Sequence, residues 1–466
     1  MSDTGAVQAA DSNVRDQQIR LPSWRWEALR TTFWLVPTVL VVVAALLFLV
    51  TFRIDLAAYH HQLTLPSWIR TGGPDAGREI LIATAAAIIT VVGVVFSITI
   101  LALTLASQQF GPRMMRNFVR DWGNQLTLGV FVGTFVYSVL ALGSITDTFV
   151  PHLSITAAEA LLLVDLGVLI YFIHHIAKSI QLPEVIAGIA RDLTRAIDAE
   201  FPLPDPDRNA TSERRVGRSA AELSQLLDER GVVVPSSASG YLQFVGYAQL
   251  VDIAVRTDSV IRLTHRPGHF VATGQPLAIV WPGGAGEQVA LALSKAHVSG
   301  PHRTLQQDPV FAIDQLVEIA IRALSPAVND TFTALTCIDW LSAGLSHVSS
   351  RPLAEGIYRD RFGRVRLMES DPSYPRMVNR AFDKIRQSSA GMPAVIIRML
   401  DSLRAVASST VTPDQREVLA VQADMILRSA EASVSEENDL AEIRIRHQRM
   451  IAVARGTEEN GEPRRV

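Results

Sequence analysis

TFWLVPTVLVVVAALLFLVTF, residues 32–52, carries no charge and is long enough as a helix to cross a bilayer core of about 30 Å. Three more runs obey the same rule. Ile80 to Leu105 is uncharged and, at about 1.5 Å per residue, longer than that core, so it is expected to tilt or protrude. Leu126 to Ile145 is the third. Thr156 to Ile176 is the fourth, interrupted by Glu159 near its start and Asp165 near its middle. A buried core helix explains one such run but not four in succession. A cleaved signal peptide explains the first poorly, because the polar leader is long, the run exceeds an ordinary h-region and no clear A-x-A site follows. The fold class follows: an α-helical membrane bundle of four transmembrane helices, joined to a cytoplasmic α+β domain with a small β-rich unit and several helices.

Composition agrees. Of 466 residues 48% are hydrophobic and only 19% charged, below the usual quarter, so polar surface is scarce somewhere along the chain. A net charge of −3 gives no case for nucleic acid as a partner. The single cysteine, Cys337, excludes an intramolecular disulfide and a multi-cysteine zinc site. No cofactor and no metal site are expected.

Basic residues set the orientation. Arg15, Arg20, Arg25 and Arg30 precede the first run, Arg113, Arg116 and Arg120 lie between the second and third, and Lys178, Arg191 and Arg195 follow the fourth. The loop TDTFVPHLS between the third and fourth has none. The first loop, with Arg53, Arg70 and Arg78, fits least well. Both termini are therefore expected in the cytoplasm of a bacterial cell, with the bundle in the inner membrane. Trp24, Trp26, Trp34, Trp68 and Trp122 lie near run ends, where indole favours the interface.

Within the runs, Gly129-x-x-x-Gly133 predicts a close-packed helix face and a route to self-association. Thr90, Gly93, Ser97, Thr104 and Ser107 lie close to one face of the second run. That face is either a packing seam or, with Ser97 and Thr104, part of a hydrated path, since hydroxyls also bond their own helix backbone. Asp165 is costly to bury as an ion, which leaves proton or ion handling beside a neutral hydrogen-bonding role. The adjacent pair His174 and His175 points in two directions on a helix, so polar anchoring at the interface explains it better than metal ligation.

Beyond the membrane, Ile176, Ile180, Ile186, Ile189, Leu193 and Ile197 recur at helical spacing. Residues 201–218 read as a proline-rich, charged linker. VVV, YLQFV, VIRLTH, HFVAT and PLAIVW, between 231 and 282, read as short strands, with a helix from Gln249 to Thr257. RPGHFVATGQPL looks like a structural hairpin of lipoyl- or biotinyl-type sandwiches, without a lysine to carry a cofactor. PGGAGE, 282–287, lacks the Lys-Ser/Thr of a phosphate loop and reads as a loop only. Asp308 caps a helix that begins at Pro309 and ends before Ser325-Pro326. Asp330 caps the next, although Arg322, Ser325, Asn329 and Asp330 together also offer a candidate ligand loop. Gly363 marks a small hairpin in 358–369. The expected divisions are a leader 1–31, membrane domain 32–176, juxtamembrane helix and linker 177–230, β-rich unit 231–300, helical domain 301–450 and tail 451–466.

VGVVFSITILALTLASQQFGPRMMRNFVRD (92–121), YFIHHIAKSIQ (171–181), SGYLQFV (239–245), RPGHFVATGQPL (266–277) and RALSPAVNDTFTALTCIDWL (322–341) occur in that order. In these motifs the chain resembles a bacterial family of predicted membrane proteins, the domain-of-unknown-function family numbered 2254. Thr331 stands where the resemblance implies proline after Asn-Asp. The resemblance implies membrane residence and brings no activity with it. The residues suggest a non-enzymatic protein: an oligomeric channel or transporter gated by its cytoplasmic domain, or a membrane-anchored sensor or scaffold. Its expected partners are the lipid bilayer, further copies of itself, and an ion or small ligand.

Overall fold

The computed structural model describes residues 34–63, 66, 69, 72–110, 121–201, 217–351, 356–369 and 374–456. The leader arginines, Trp24, Trp26, Trp68, Arg70, Arg113, Arg116, Arg120, most of the 201–218 linker and the chain past 456 lie outside the described residues, and so does the side chain of Ser107. Contacts divide the chain into two units that meet between Val185 and Ile186.

The first unit holds four long apolar helices: α1 (Leu35–Tyr59), α2 (Pro74–Phe110), α3 (Trp122–Gly143) and α4 (His152–Ser179). Each overlaps one uncharged run, and each extends beyond it at its start, its end or both. α3 is the most buried and packs against the other three. Its small residues permit this. A Cβ on Gly129 would stand 2.6 Å from Leu40 Cδ1 and 3.0 Å from Pro37 Cα, and one on Gly133 would stand 3.3 Å from Ala44 Cβ. That face is filled by α1 of the same chain, so the close packing of Gly129 and Gly133 is a contact within the chain. Trp34 and Trp122 open α1 and α3 as outward-facing rings.

One end of this bundle is tied by polar groups that the apolar runs gave no reason to expect. Asp55, near the end of α1, accepts from Leu153 N (2.8 Å), Ser154 N (2.9 Å) and Ser154 Oγ (2.7 Å), and so caps the start of α4. Ser154 Oγ also reaches Thr51 Oγ1 at 3.1 Å, which lies 2.8 Å from Tyr137 Oη. The chain of contacts links α1, α3 and α4, and it explains why α1 continues as a helix through Arg53 and Asp55.

The second unit begins within α5 (Leu182–Glu200), whose Ile186, Ile189, Leu193 and Ile197 form one buried stripe. α6 (Ala220–Arg230) opens with a capping box of Ser219 and Glu222, a signal present in the sequence but not read above. The strands are β1 (Val232–Pro235), β2 (Gly240–Val245), β3 (Val260–Leu263), β4 (Phe270–Val271), β5 (Pro276–Trp281), β6 (His297–Gly300), β7 (Ile357–Arg359) and β8 (Val365–Met368). α7 (Tyr247–Arg256) and α8 (Gly286–Ala296) lie between them. PGGAGE is thus not only a loop, since its end starts α8.

Two sheets form, in orders β1-β5-β3-β8-β7 and β4-β2-β6. Every pairing is antiparallel except β3 with β8. Residues 266–277 are not a hairpin of paired strands: β4 joins β2, while β5 joins β1 and β3. The segment crosses from one sheet to the other, and Leu242, Val245, Ile261, Val280, Leu250 and Val289 share the core between them. The hairpin about Gly363 extends the larger sheet through β8, so the strands on either side of residue 300 are continuous in space. Helices α9 (Pro309–Ala323), α10 (Thr331–Ser349), α11 (Tyr374–Ser388), α12 (Pro393–Ser409), α13 (Pro413–Glu431) and α14 (Glu437–Ala454) complete the unit, with α9 buried along most of its length.

Candidate functional site

The membrane candidates do not converge. Asp165 is buried on α4 and accepts from Thr134 Oγ1 of α3 at 3.2 Å, and its second oxygen has no hydrogen-bond partner among the described residues. Ser97 and Thr104 face outward from α2 and return their hydroxyls to the carbonyls of Gly93 (2.8 Å) and Ile100 (2.9 Å). Within one chain, then, they share no path with Asp165. His174 is exposed. His175 turns inward, 2.7 Å from Asp121, the N-cap of α3, and stacks on Tyr171.

The loop after α9 is explained by its own backbone. Asp330 accepts from Thr333 N (3.1 Å) and Thr333 Oγ1 (2.6 Å), bonds that hold its carboxyl below the usual carboxylate range. Ser325 Oγ bonds the Arg322 carbonyl at 2.7 Å, and Asn329 takes φ +49°, a left-handed conformation that asparagine tolerates. Arg322, Ser325, Asn329 and Asp330 are neighbours there, and the Ser325 hydroxyl and the Asp330 carboxyl serve the turn between α9 and α10.

A cluster of charged side chains lies elsewhere in the second unit. It starts at the Arg266-Pro267-Gly268-His269 turn between β3 and β4, which is pinned to β2 by Gly268 N to Leu242 O (2.8 Å) and Leu242 N to His269 O (2.9 Å). Gly268 has φ +90°, and a Cβ there would stand 2.6 Å from Asp308 Cγ. Only glycine fits that approach. Asp308 is 4% exposed, caps α9 through Phe311 N (3.2 Å) and accepts from Arg303 Nε at 2.8 Å. Arg303 also reaches Asp314 at 2.5 Å and lies over the Phe311 ring. Arg380 grips Asp314 through Nε (2.7 Å) and Nη2 (2.8 Å), the two-pronged geometry suited to a carboxylate. One turn earlier on α11, Arg376 Nη1 lies 2.6 Å from His269 Nε2. Among the described residues, the Arg266 guanidinium makes neither a hydrogen bond nor an ion pair, while its carbonyl accepts from His269 N at 3.1 Å.

The electrostatics follow from this crowding. A guanidinium only donates, so Nε2 of His269 accepts and the ring is neutral. Burial, then the nearby Arg376 and Arg266, push its pKa down to about 4. Burial and the neighbouring cations Arg266 and Arg380 likewise lower Arg376. Burial raises Asp308 against the pull of Arg303. Glu200, the last residue of α5, feels the same centre. Burial, then repulsion from Glu369, raise it to about 7, while Arg266 pulls it down. Behind it, Tyr247 and Tyr358 stack at 4.9 Å and Tyr358 Oη donates to Glu369 at 3.1 Å. α5 is further fixed by Asp198, which meets His347 at 2.8 Å and Arg351. Arg351 also donates to the Phe201 carbonyl at 2.7 Å.

Sequence reading missed this centre, although it singled out the RPGH turn and the Asp308 cap. Among the described residues no group of three His, Cys, Asp or Glu is placed to hold a metal ion.

Comparison with known proteins places the chain. The family described as Predicted membrane protein (DUF2254) matches residues 30–405. The uncharacterized protein Rv1290c of Mycobacterium tuberculosis (strain H37Rv) and the uncharacterized protein Mb1321c of Mycobacterium bovis are each 33% identical over 398 residues, covering 83% of this chain and 73% of the relative. No solved structure matches it significantly. The chain belongs to the DUF2254 family of predicted membrane proteins.

Proposed function

We propose that the protein is a non-enzymatic, membrane-anchored sensor: the arginine-rich centre of its second unit receives a small ligand, and α5 passes the consequence to the fourth span. One observation carries this reading. α4 ends at Ser179, α5 starts at Leu182, and the last residue of α5, Glu200, interacts electrostatically with Arg266 and Asp308 of the centre. A change of charge at the centre therefore acts on a helix joined to the membrane bundle by two residues. The second unit is cytoplasmic in this reading, with both termini on that side of a bacterial inner membrane.

A transport reading draws support from a different feature, the outward-facing hydroxyls of Ser97 and Thr104 on α2. Lining a path with them takes several copies of the chain, because Asp165 is enclosed between α3 and α4. Purified protein in liposomes separates the two. The sensor reading expects no ion flux from wild type or Asp165→Asn across pH and membrane tension. A wild-type flux that the substitution alters would overturn it in favour of transport.

A further inference from the structure

We propose that Arg266, Arg376 and the imidazole of His269 form a binding site for a phosphate group. The proposal deepens the sensor reading and rests on it only for the effect on the membrane unit, not for binding itself.

The site is defined by which donors are already committed. Asp308 and Asp314 are buried and are taken up by the α9 cap, Arg303 and the two-pronged Arg380. Arg266 stands half-buried on the turn, and its guanidinium has no hydrogen bond or ion pair among the described residues. Arg376 is exposed on α11, and there its guanidinium leans on a neutral ring. Two guanidinium groups thus share a partly sheltered surface, with no carboxylate among the described residues bonded to either. Glu200 offsets Arg266 only in part, since it shares its surroundings with Glu369 and Asp308 and keeps its proton to about pH 7.

The chemistry of the ligand follows from charge and geometry. A carboxylate would balance one of the two guanidinium charges, whereas a phosphate dianion balances both and has oxygens to face the turn and α11 at once. An anion that takes the Arg376 donors releases Nε2 of His269. The ring can then bind a proton from solvent and donate to the phosphate, because the anion's charge offsets both the burial and the neighbouring arginines that kept it neutral. The ring is therefore expected to take up a proton on binding. The phosphate can belong to a soluble molecule or to a lipid headgroup.

The test uses the full chain in nanodiscs of phosphatidylcholine, titrated calorimetrically with inorganic phosphate near neutral pH in two buffers of different ionisation heat. Wild type should take up more protons per bound phosphate than His269→Gln does, the proton shed as the phosphate monoanion becomes the bound dianion being common to both. Arg266→Gln with Arg376→Gln should weaken binding by about tenfold or more with an unchanged melting midpoint, since neither side chain holds a structural bond to a carboxylate. His269→Gln should keep only that release. Arg398→Gln, at an exposed pair with Asp339, should bind as wild type does. Repeating the titration with phosphatidylglycerol in the disc identifies the source: competition by the lipid assigns the site to headgroups, and its absence assigns it to soluble phosphates. Equal affinity in the double variant, or no phosphate binding in phosphatidylcholine discs together with no competition, would overturn the proposal. Binding as expected with no change in α4 would leave this site standing and sink the relay.

Discussion

Gly268→Ala probes the point where the turn, the α9 cap and the arginine centre touch. Two costs add. At φ +90° any L side chain is strained, which costs about 1–2 kcal/mol. The new Cβ must also find room 2.6 Å from Asp308 Cγ and 3.0 Å from Oδ1. Asp308 cannot swing away, because it is buried and bonded to Arg303 and Phe311 N. Overpacking of this kind costs about 1–3 kcal/mol more. The sum, about 2–5 kcal/mol, is below the usual stability of a domain, so the variant should fold but melt earlier by about 5–15 °C. Gly274→Ala supplies the control, since Gly274 has φ +84° and open space where a Cβ would go. It should pay only the backbone strain. The apparent midpoint of each variant in detergent, with amide exchange at the start of α9, measures the difference. Equal midpoints and equal exchange for Gly268→Ala and Gly274→Ala would refute the close approach of turn and cap.

Asp55→Ala leaves Leu153 N and Ser154 N without their buried acceptor and should destabilise the bundle by about 2–5 kcal/mol, seen as a lower midpoint in detergent, with Asp55→Asn losing less. Gly129→Leu with Gly133→Leu should push α1 off α3 and lower the midpoint without changing the particle mass measured by light scattering. Glu200 titrates near 7 when folded and near 4.5 in its ordinary state, so the folded chain holds the extra proton between those values. Stability from this group is accordingly full below about pH 4.5 and falls as pH rises toward 7, and Glu200→Gln should flatten that part of a stability-against-pH curve. Cys337 is fully buried and its thiol is pushed up to about 12, so maleimide should label it only after unfolding.

The membrane unit was legible because span length is a local property: an uncharged run of sufficient length has few alternatives in water or lipid. The identity of packing partners was not local. Gly129 and Gly133 announced a close contact, but whether α1 or a second copy fills it depends on the whole bundle. The role of Asp55 had no local signal, because its partners, Leu153 and Ser154, lie about a hundred positions away. Asp330 was legible as a cap, since its acceptor role needs only Thr333. The arginine centre was the least legible feature, since Glu200 comes from α5, Arg266 and His269 from the turn before β4, Arg303 from the segment before α9, Asp308 and Asp314 from α9 and its cap, and Arg376 and Arg380 from α11. Two signals in the sequence pointed to it: a glycine between arginine and histidine in a turn, and Arg376 four positions before Arg380 on one helix face.

The most direct test of the account is amide exchange on the reconstituted chain with and without inorganic phosphate, read by mass spectrometry along α5 and α4. The relay predicts slower exchange at Arg266–Phe270 and at the start of α9, together with a change in α5 and the last turns of α4 that disappears in Arg266→Gln with Arg376→Gln. A phosphate effect confined to the centre, with α5 and α4 exchanging as before, would contradict it.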